Sequence, residues 1–202
     1  EVVRLKDLQI KIGEKDVVFS LKSCFLPGQK VRVQIYFLEN QEYFGSRNSL
    51  YVDPMKGTDY PDNDERFILL SRAVFELISK LGWIPDIIHC NDWQCGLIPA
   101  YLKNSYNNDP QFTTFKTVFT VHNLEYQGEF PKTSFKKTGL PESLNSEKGI
   151  ESNGKINFMK SGLLYADVIN TVSETYANEI RTDEELGGKL KNVLAKRKND
   201  LY

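Results

Sequence analysis

Three stretches of the chain share one pattern, a short apolar run that closes on polar side chains and then passes into a helix-like repeat. They are residues 85–97 (PDIIHCNDWQCGL), 117–128 (TVFTVHNLEYQG) and 166–180 (ADVINTVSETYANEI). The runs Ile87-Ile88, Val118-Phe119-Thr120-Val121 and Val168-Ile169-Asn170-Thr171-Val172 read as strands buried on both faces, as in the parallel sheets of α/β proteins. In an open α/β sheet the ligand crevice lies beyond the carboxyl ends of the strands. His89, Asp92, Trp93, His122 and Asn123 are therefore expected to emerge there together, and they include both histidines of the chain.

The first forty residues follow a different rule. QIKI, DVVFSLKSCFL and KVRVQIYFL alternate or carry β-branched residues and are separated by turn-like GEKD and PGQK, which predicts an antiparallel meander. In the third run Val31, Val33 and Ile35 share one face, and Arg32, Gln34 and Tyr36 the other. Residues 43–64 are polar and turn-rich, with Pro54, Gly57 and Pro61, and a loop of that length is often functional. DNDERFILLSRAVFELISKLGWIP predicts a helix. Asp62 or Asn63 is placed to cap it, Phe67, Leu70, Val74, Leu77, Ile78 and Leu81 form its apolar stripe, and Gly82 and Pro85 stop it. Residues 126–155 read as a second loop, and INFMKSGLLYA as a helix before the third strand.

Composition narrows the setting. At 202 residues with 40% hydrophobic and 12% aromatic side chains, the chain can bury an ordinary core. Twenty-six basic against twenty-seven acidic residues leave a net charge of −1, so no global field draws in nucleic acid or an anionic membrane. No apolar run approaches a membrane span of ~20 residues, and the opening EVVRLKDLQI lacks the apolar core of a secretory signal. Cys24, Cys90 and Cys95 are odd in number and spread out, which favours reduced thiols over a disulfide framework. CNDWQC lacks the two-residue spacing and the second pair of a zinc site, so no metal is expected. Gly187-Gly188 reads as a turn, and the chain holds no GxGxxG and no P-loop.

The candidate chemistry has bland alternatives at this stage. A histidine at a strand end is often only a hydrogen-bonded structural residue, Asp92 is equally placed to be a helix N-cap, and Trp93 to be ordinary packing.

Four motifs in order, YPDNDERF, HCNDWQCGLIPAYL, TVHNLEYQGEFP and GKINFMKSGLLYADVINTVSETYANEI, resemble the amino-terminal catalytic domain of bacterial glycogen synthases and plant starch synthases. The likeness runs along nearly the whole chain, including IYFLENQEYF before the long loop. The resemblance implies an α/β fold with a Rossmann-like, mostly parallel sheet, as one part of a GT-B glycosyltransferase with two Rossmann domains. It implies transfer of glucose from an ADP-glucose donor to the non-reducing end of an α-1,4-glucan acceptor, with retention at the anomeric carbon and with neither cofactor nor metal.

Carried over by position, His122 in TVHN matches the family's active-site histidine beside the transferred glucose. Asn123, Asp92 and Trp93 match positions on the sugar and acceptor side, and Tyr51 in SRNSLY matches a substrate-side tyrosine. Where the commonest family form has histidine before the Asp-Trp pair, this chain has Asn91. The resemblance also places a lysine-and-glycine donor loop before residue 1 and the nucleotide-binding second domain after residue 202. Residues 1–202 are thus expected to be a partial amino-terminal domain, inactive alone. The compartment would be the cytoplasm in a bacterium or the plastid stroma in a plant or alga. Two alternatives remain open at the level of sequence: a related glucosyltransferase using UDP-glucose, and a non-catalytic glucan-binding module.

Overall fold

A computed structural model describes residues 2–28 and 30–202. The chain opens on an antiparallel meander of β1 (Val2–Ile12), β2 (Lys15–Phe25) and β3 (Gln34–Glu39), in the order β1-β2-β3. The meander is as predicted, but its third strand starts later. Residues 31–33 stand outside it, and Val31 is 74% exposed. Alternation in KVRVQIYFL marks a strand only where a neighbour exists to accept its hydrogen bonds, and β2 supplies partners only to residues 34–39. Val17, Phe19 and Leu21 of β2 are buried in the core.

The long polar loop is ordered. A π-helical turn (Gln41–Gly45) is capped by Asn40, whose side chain accepts the Tyr43 amide, and a two-stranded ribbon follows, β4 (Val52–Asp53) and β5 (Thr58–Asp59). Then comes α1 (Asn63–Leu81), ended by Gly82 in the left-handed region at φ 60°. The buried face of α1 is wider than the predicted stripe. Ile68, Leu69, Ala73, Phe75 and Ile78 are fully buried, Leu70, Val74 and Leu77 are partly so, and Leu81 is exposed. A helix packed between the meander on one side and the next helix on another needs more than one apolar line.

The parallel sheet has the order β11-β7-β6, built from β6 (Ile87–Asn91), β7 (Lys116–Val121) and, later in the chain, β11 (Val168–Thr171). The α2 helix (Leu97–Asn104) connects β6 towards β7. Between β7 and α4 (Phe158–Tyr165), the segment read as a loop carries a small antiparallel sheet. Its order is β8-β10-β9, from β8 (Glu129–Pro131), β9 (Glu151–Ser152) and β10 (Lys155–Asn157), with one helical turn, α3 (Phe135–Thr138), inserted. Strands of two or three residues are too short to write a periodicity. The chain closes with α5 (Glu174–Thr182), α6 (Glu184–Gly187) and α7 (Lys191–Lys196). Its last residues run beside β11, where the Tyr202 amide donates to the Ile169 carbonyl at 3.0 Å.

The sheet is covered unequally. Ile88, Cys90, Phe119 and Ile169 point into the helical core on one face. On the other face Ile87 is 58% exposed and His89 is also exposed, so β6 is not buried on both sides as the run Ile87-Ile88 suggested. Among the described residues β6 pairs only with β7. The whole is broadly α/β, with a three-stranded sheet that is parallel throughout beside the antiparallel meander and two short antiparallel sheets. No described helix is long and apolar enough to cross a membrane.

Candidate active site

The strand ends deliver Asp92 directly after β6 and His122 directly after β7. Asp92 has φ 56° and ψ −177°, a conformation that side chains other than glycine rarely adopt. It is held there from three sides. Its amide donates to the Thr120 carbonyl at 2.9 Å, its carbonyl accepts the Cys95 amide at 3.1 Å, and its carboxylate accepts the His122 amide at 2.8 Å. Asp92 stands at the N-cap position of the single turn Trp93–Cys95, yet its side chain makes no capping bond. The cap reading is therefore replaced by a carboxylate that ties two strand ends together.

His122 is exposed, and its Nε2 lies 3.0 Å from Asn91 Oδ1. An amide oxygen only accepts, so Nε2 is the donor in this contact. Asn91 thus has a local role in orienting the imidazole. His89 does not join this group. It sits inside β6, where Nε2 meets Thr120 Oγ1 at 2.6 Å and the threonine in turn donates to Asn170 Oδ1, a polar row across the open sheet face. A strand side chain two residues before the end points across the sheet rather than past its edge.

A cleft of about 780 Å³ opens beside these strand ends. Tyr51, Asp92, Trp93 and Asn123 all line it, while His122 is not among its lining residues. Trp93 is only 9% exposed. Its ring lies edge-on to Phe67 at 4.6 Å between centroids and against Tyr51 and Phe130 at 5.7 and 6.0 Å. It is packed among these rings and lines the cleft with little exposed surface. Gly128 abuts it at φ 60°, and a Cβ there would stand 2.3 Å from the indole. Tyr51 is half-buried, and its hydroxyl accepts from Gln94 Nε2 at 2.5 Å, keeping its own proton for a ligand. Asn123 Oδ1 accepts the Glu125 amide at 2.9 Å, which leaves its amide NH₂ to donate.

The loop carrying Asn123 is tied down along its length. The Leu124 amide donates to the Tyr176 hydroxyl at 3.1 Å, Asn157 Nδ2 donates to Gln127 Oε1 at 2.7 Å, and the Phe158 and Met159 amides donate to the Gly128 and Gln127 carbonyls. A site so held pays little reorganisation when a ligand arrives.

Sequence reasoning missed several lining residues. Glu125, Tyr126 and Gln127 lie inside the quoted LEYQG motif, and Tyr126 is 65% exposed at the rim. Glu129 lies inside the quoted TVHNLEYQGEFP as well, whereas Asp59 and Lys189 carried no motif signal, since the fold alone brings them there. Gly188 is a turn as expected, at φ 46°, and also lines the cleft. Four carboxylates, those of Asp59, Asp92, Glu125 and Glu129, face one lining cation, Lys189, which Glu129 already holds at 3.0 Å. Such a wall suits a neutral ligand rich in hydroxyl donors better than a phosphate. The three cysteines are free thiols, and burial pushes those of Cys90 and Cys95 up. Among the described residues no group of three or more His, Cys, Asp or Glu is placed to hold a metal ion.

Residues 2–196 match the family model described as starch synthase catalytic domain. The chain is 50% identical over 173 residues to a glycogen synthase of Geotalea daltonii, covering 84% of this chain and 34% of that protein. It is 42% identical over 197 residues to a glycogen synthase of Thermotoga maritima, covering 98% and 38%. The catalytic domain of starch synthase IV from Arabidopsis thaliana, solved bound to ADP and acarbose, superposes with a TM-score of 0.79 at 26% identity, over 98% of this chain and 39% of that one. The chain spans roughly a third of the length of the curated relatives it matches.

Proposed function

The chain belongs to the starch synthase catalytic domain family, and from that premise we propose that it forms the acceptor-side part of a glucosyltransferase active site. The whole protein would be a GT-B enzyme of two Rossmann domains, with residues 1–202 a part of the first. It would move glucose from ADP-glucose to the non-reducing end of an α-1,4-glucan, retaining the α configuration. The plant relative's ADP and acarbose, a nucleotide and an oligosaccharide analogue, support this pairing of donor and acceptor. The observation that carries the reading is the cleft itself, rich in carboxylates and amides, edged by tyrosines and set at the strand ends. Its volume falls within the roughly 300–1,000 Å³ usual for small-molecule sites.

Each side chain then has a task. Glucan hydroxyls donate to the carboxylates of Asp59, Asp92 and Glu125, while Asn123 Nδ2 and the Tyr51 hydroxyl donate to glucan oxygens. Breaking the bond from glucose to ADP builds positive charge on the sugar ring. Fixed oxygens and the imidazole of His122 stabilise it at a place where they need not reorganise. Asp92 holds the His122 peptide, and Asn91 turns its ring.

The test is transfer by the full-length protein from radiolabelled ADP-glucose or UDP-glucose to glycogen. Label entering α-1,4 linkages from ADP-glucose supports the reading. Transfer from UDP-glucose alone would reassign the donor, and glucan binding without turnover from either donor would leave a non-catalytic module.

A further inference from the structure

Arg66, the fourth residue of α1, is 1% exposed and is the largest fully buried side chain among the described residues. A buried guanidinium is costly unless every donor finds an acceptor. Here the acceptors are the backbone of the loop before the helix. Nε donates to the Tyr43 carbonyl at 2.7 Å and Nη1 to the Leu50 carbonyl at 2.7 Å, while the same Nη1 reaches Asn63 Oδ1 at 2.6 Å. Asn63 Nδ2 then donates to the Tyr51 carbonyl at 2.9 Å, which also accepts the Tyr60 amide at 2.9 Å. Two consecutive carbonyls, those of Leu50 and Tyr51, are thus fixed by one arginine, the second through Asn63. The rings of Phe44, Tyr60 and Phe67 close around the guanidinium with centroids 5.2–5.5 Å away.

Resting on the glucan-cleft reading above, we propose that Arg66, acting with Asn63, is the positioning residue that aims the Tyr51 side chain into the acceptor cleft. Arg66 touches no substrate. It sets the backbone from which Tyr51 projects, and Gln94 and Trp93 complete the seat at the hydroxyl and ring ends. A lysine cannot replace it, because a single ammonium cannot serve the two carbonyls and the amide in the fork geometry of a guanidinium.

The experiment is a double-mutant cycle in the full-length enzyme with glycogen varied at saturating ADP-glucose. Arg66→Lys is expected to raise acceptor KM by about fivefold with kcat within about twofold, and Tyr51→Ala to raise it by about tenfold. In Arg66→Lys/Tyr51→Ala, acceptor KM should equal that of Tyr51→Ala, since a residue acting through another has nothing left to orient. Losses that multiply, or a fall in kcat at unchanged acceptor KM, overturn the proposal, as does an unchanged KM in Tyr51→Ala. If Arg66→Lys does not fold, Asn63→Ala is judged by the same criteria in the same cycle; Asn63 also lines the cleft, and losses that multiply there, as from a direct contact, overturn the proposal. A wild type that transfers no glucose overturns the cleft reading and this proposal with it, whereas wild-type turnover with multiplying losses overturns this proposal alone.

Discussion

The Asp92 carboxylate accepts the backbone amide of His122 at 2.8 Å, joining the ends of two neighbouring parallel strands. The bond requires Asp92 to keep a backbone at φ 56°, which costs a residue other than glycine about 1–3 kcal/mol. Strain kept at a strand end beside a cleft points to use rather than stability. Asp92→Gly relieves the strain and removes the bond, and the two effects offset within about 1 kcal/mol. Glucosyl transfer is expected to fall by about 10² in the same variant. Denaturant unfolding and a transfer assay check the pair. Stability lost together with activity would make Asp92 a structural residue.

Part of the acid stability should depend on the Glu65 carboxylate. Burial alone would raise the Glu65 carboxyl, but hydrogen bonds from Lys137, Lys15 and Tyr43 outweigh it and bring it down to about 2 from an ordinary 4.5. A depressed carboxylate contributes stability that is present above its unfolded value and lost as pH falls from there through the folded value. The loss is therefore expected between about pH 4.5 and 2. Glu65→Gln should flatten that part of the stability curve, which urea unfolding at stepped pH measures. An unchanged acid limb would contradict it. The two lysines are raised, so their share persists below pH 10.5 and is lost as pH rises past it.

Gly128→Ala places a Cβ 2.3 Å from the Trp93 indole at a backbone of φ 60°. Overpacking and left-handed strain together should cost about 2–4 kcal/mol. Because Trp93 packs on Tyr51 and Phe130, maltoheptaose affinity is expected to fall along with the melting temperature. Wild-type stability in this variant would mean that the loop gives way freely, against the hydrogen bonds that fix it to α4.

Much of this arrangement was legible in the chain's pattern. The apolar runs before HCNDW, TVHN and NTVSE are the three parallel strands, and Asp92 and His122 stand where those strands stop. Tyr51, Asp92, Trp93 and Asn123 were expected at a sugar site and do meet around one cleft. His89 was misplaced because pattern gives a strand's extent but not its last residue, and two residues carry a side chain from the edge to the face. For Trp93 the choice between a sugar-side position and ordinary packing could not be made from the chain, because composition cannot tell a ring that is packed from one that is free. Asp59 and Lys189 had no signal at all. They are polar residues in loops or at the ends of short elements, and only the chain's return past the strand ends brings them to the same wall.

The catalytic place of His122 is the centre of the account, and His122→Ala in the full-length enzyme tests it most directly, with ADP-glucose and glycogen as substrates and thermal unfolding measured alongside. His122 is exposed and its ring bonds only to Asn91 among the hydrogen bonds of the described residues, so its loss should leave the fold intact. The expected result is a fall in kcat of about 10²–10³ with donor KM little changed, as when one preorganised contact to a developing charge is removed. A kcat within about threefold of wild type, or one that falls only with a collapse in stability, would contradict it.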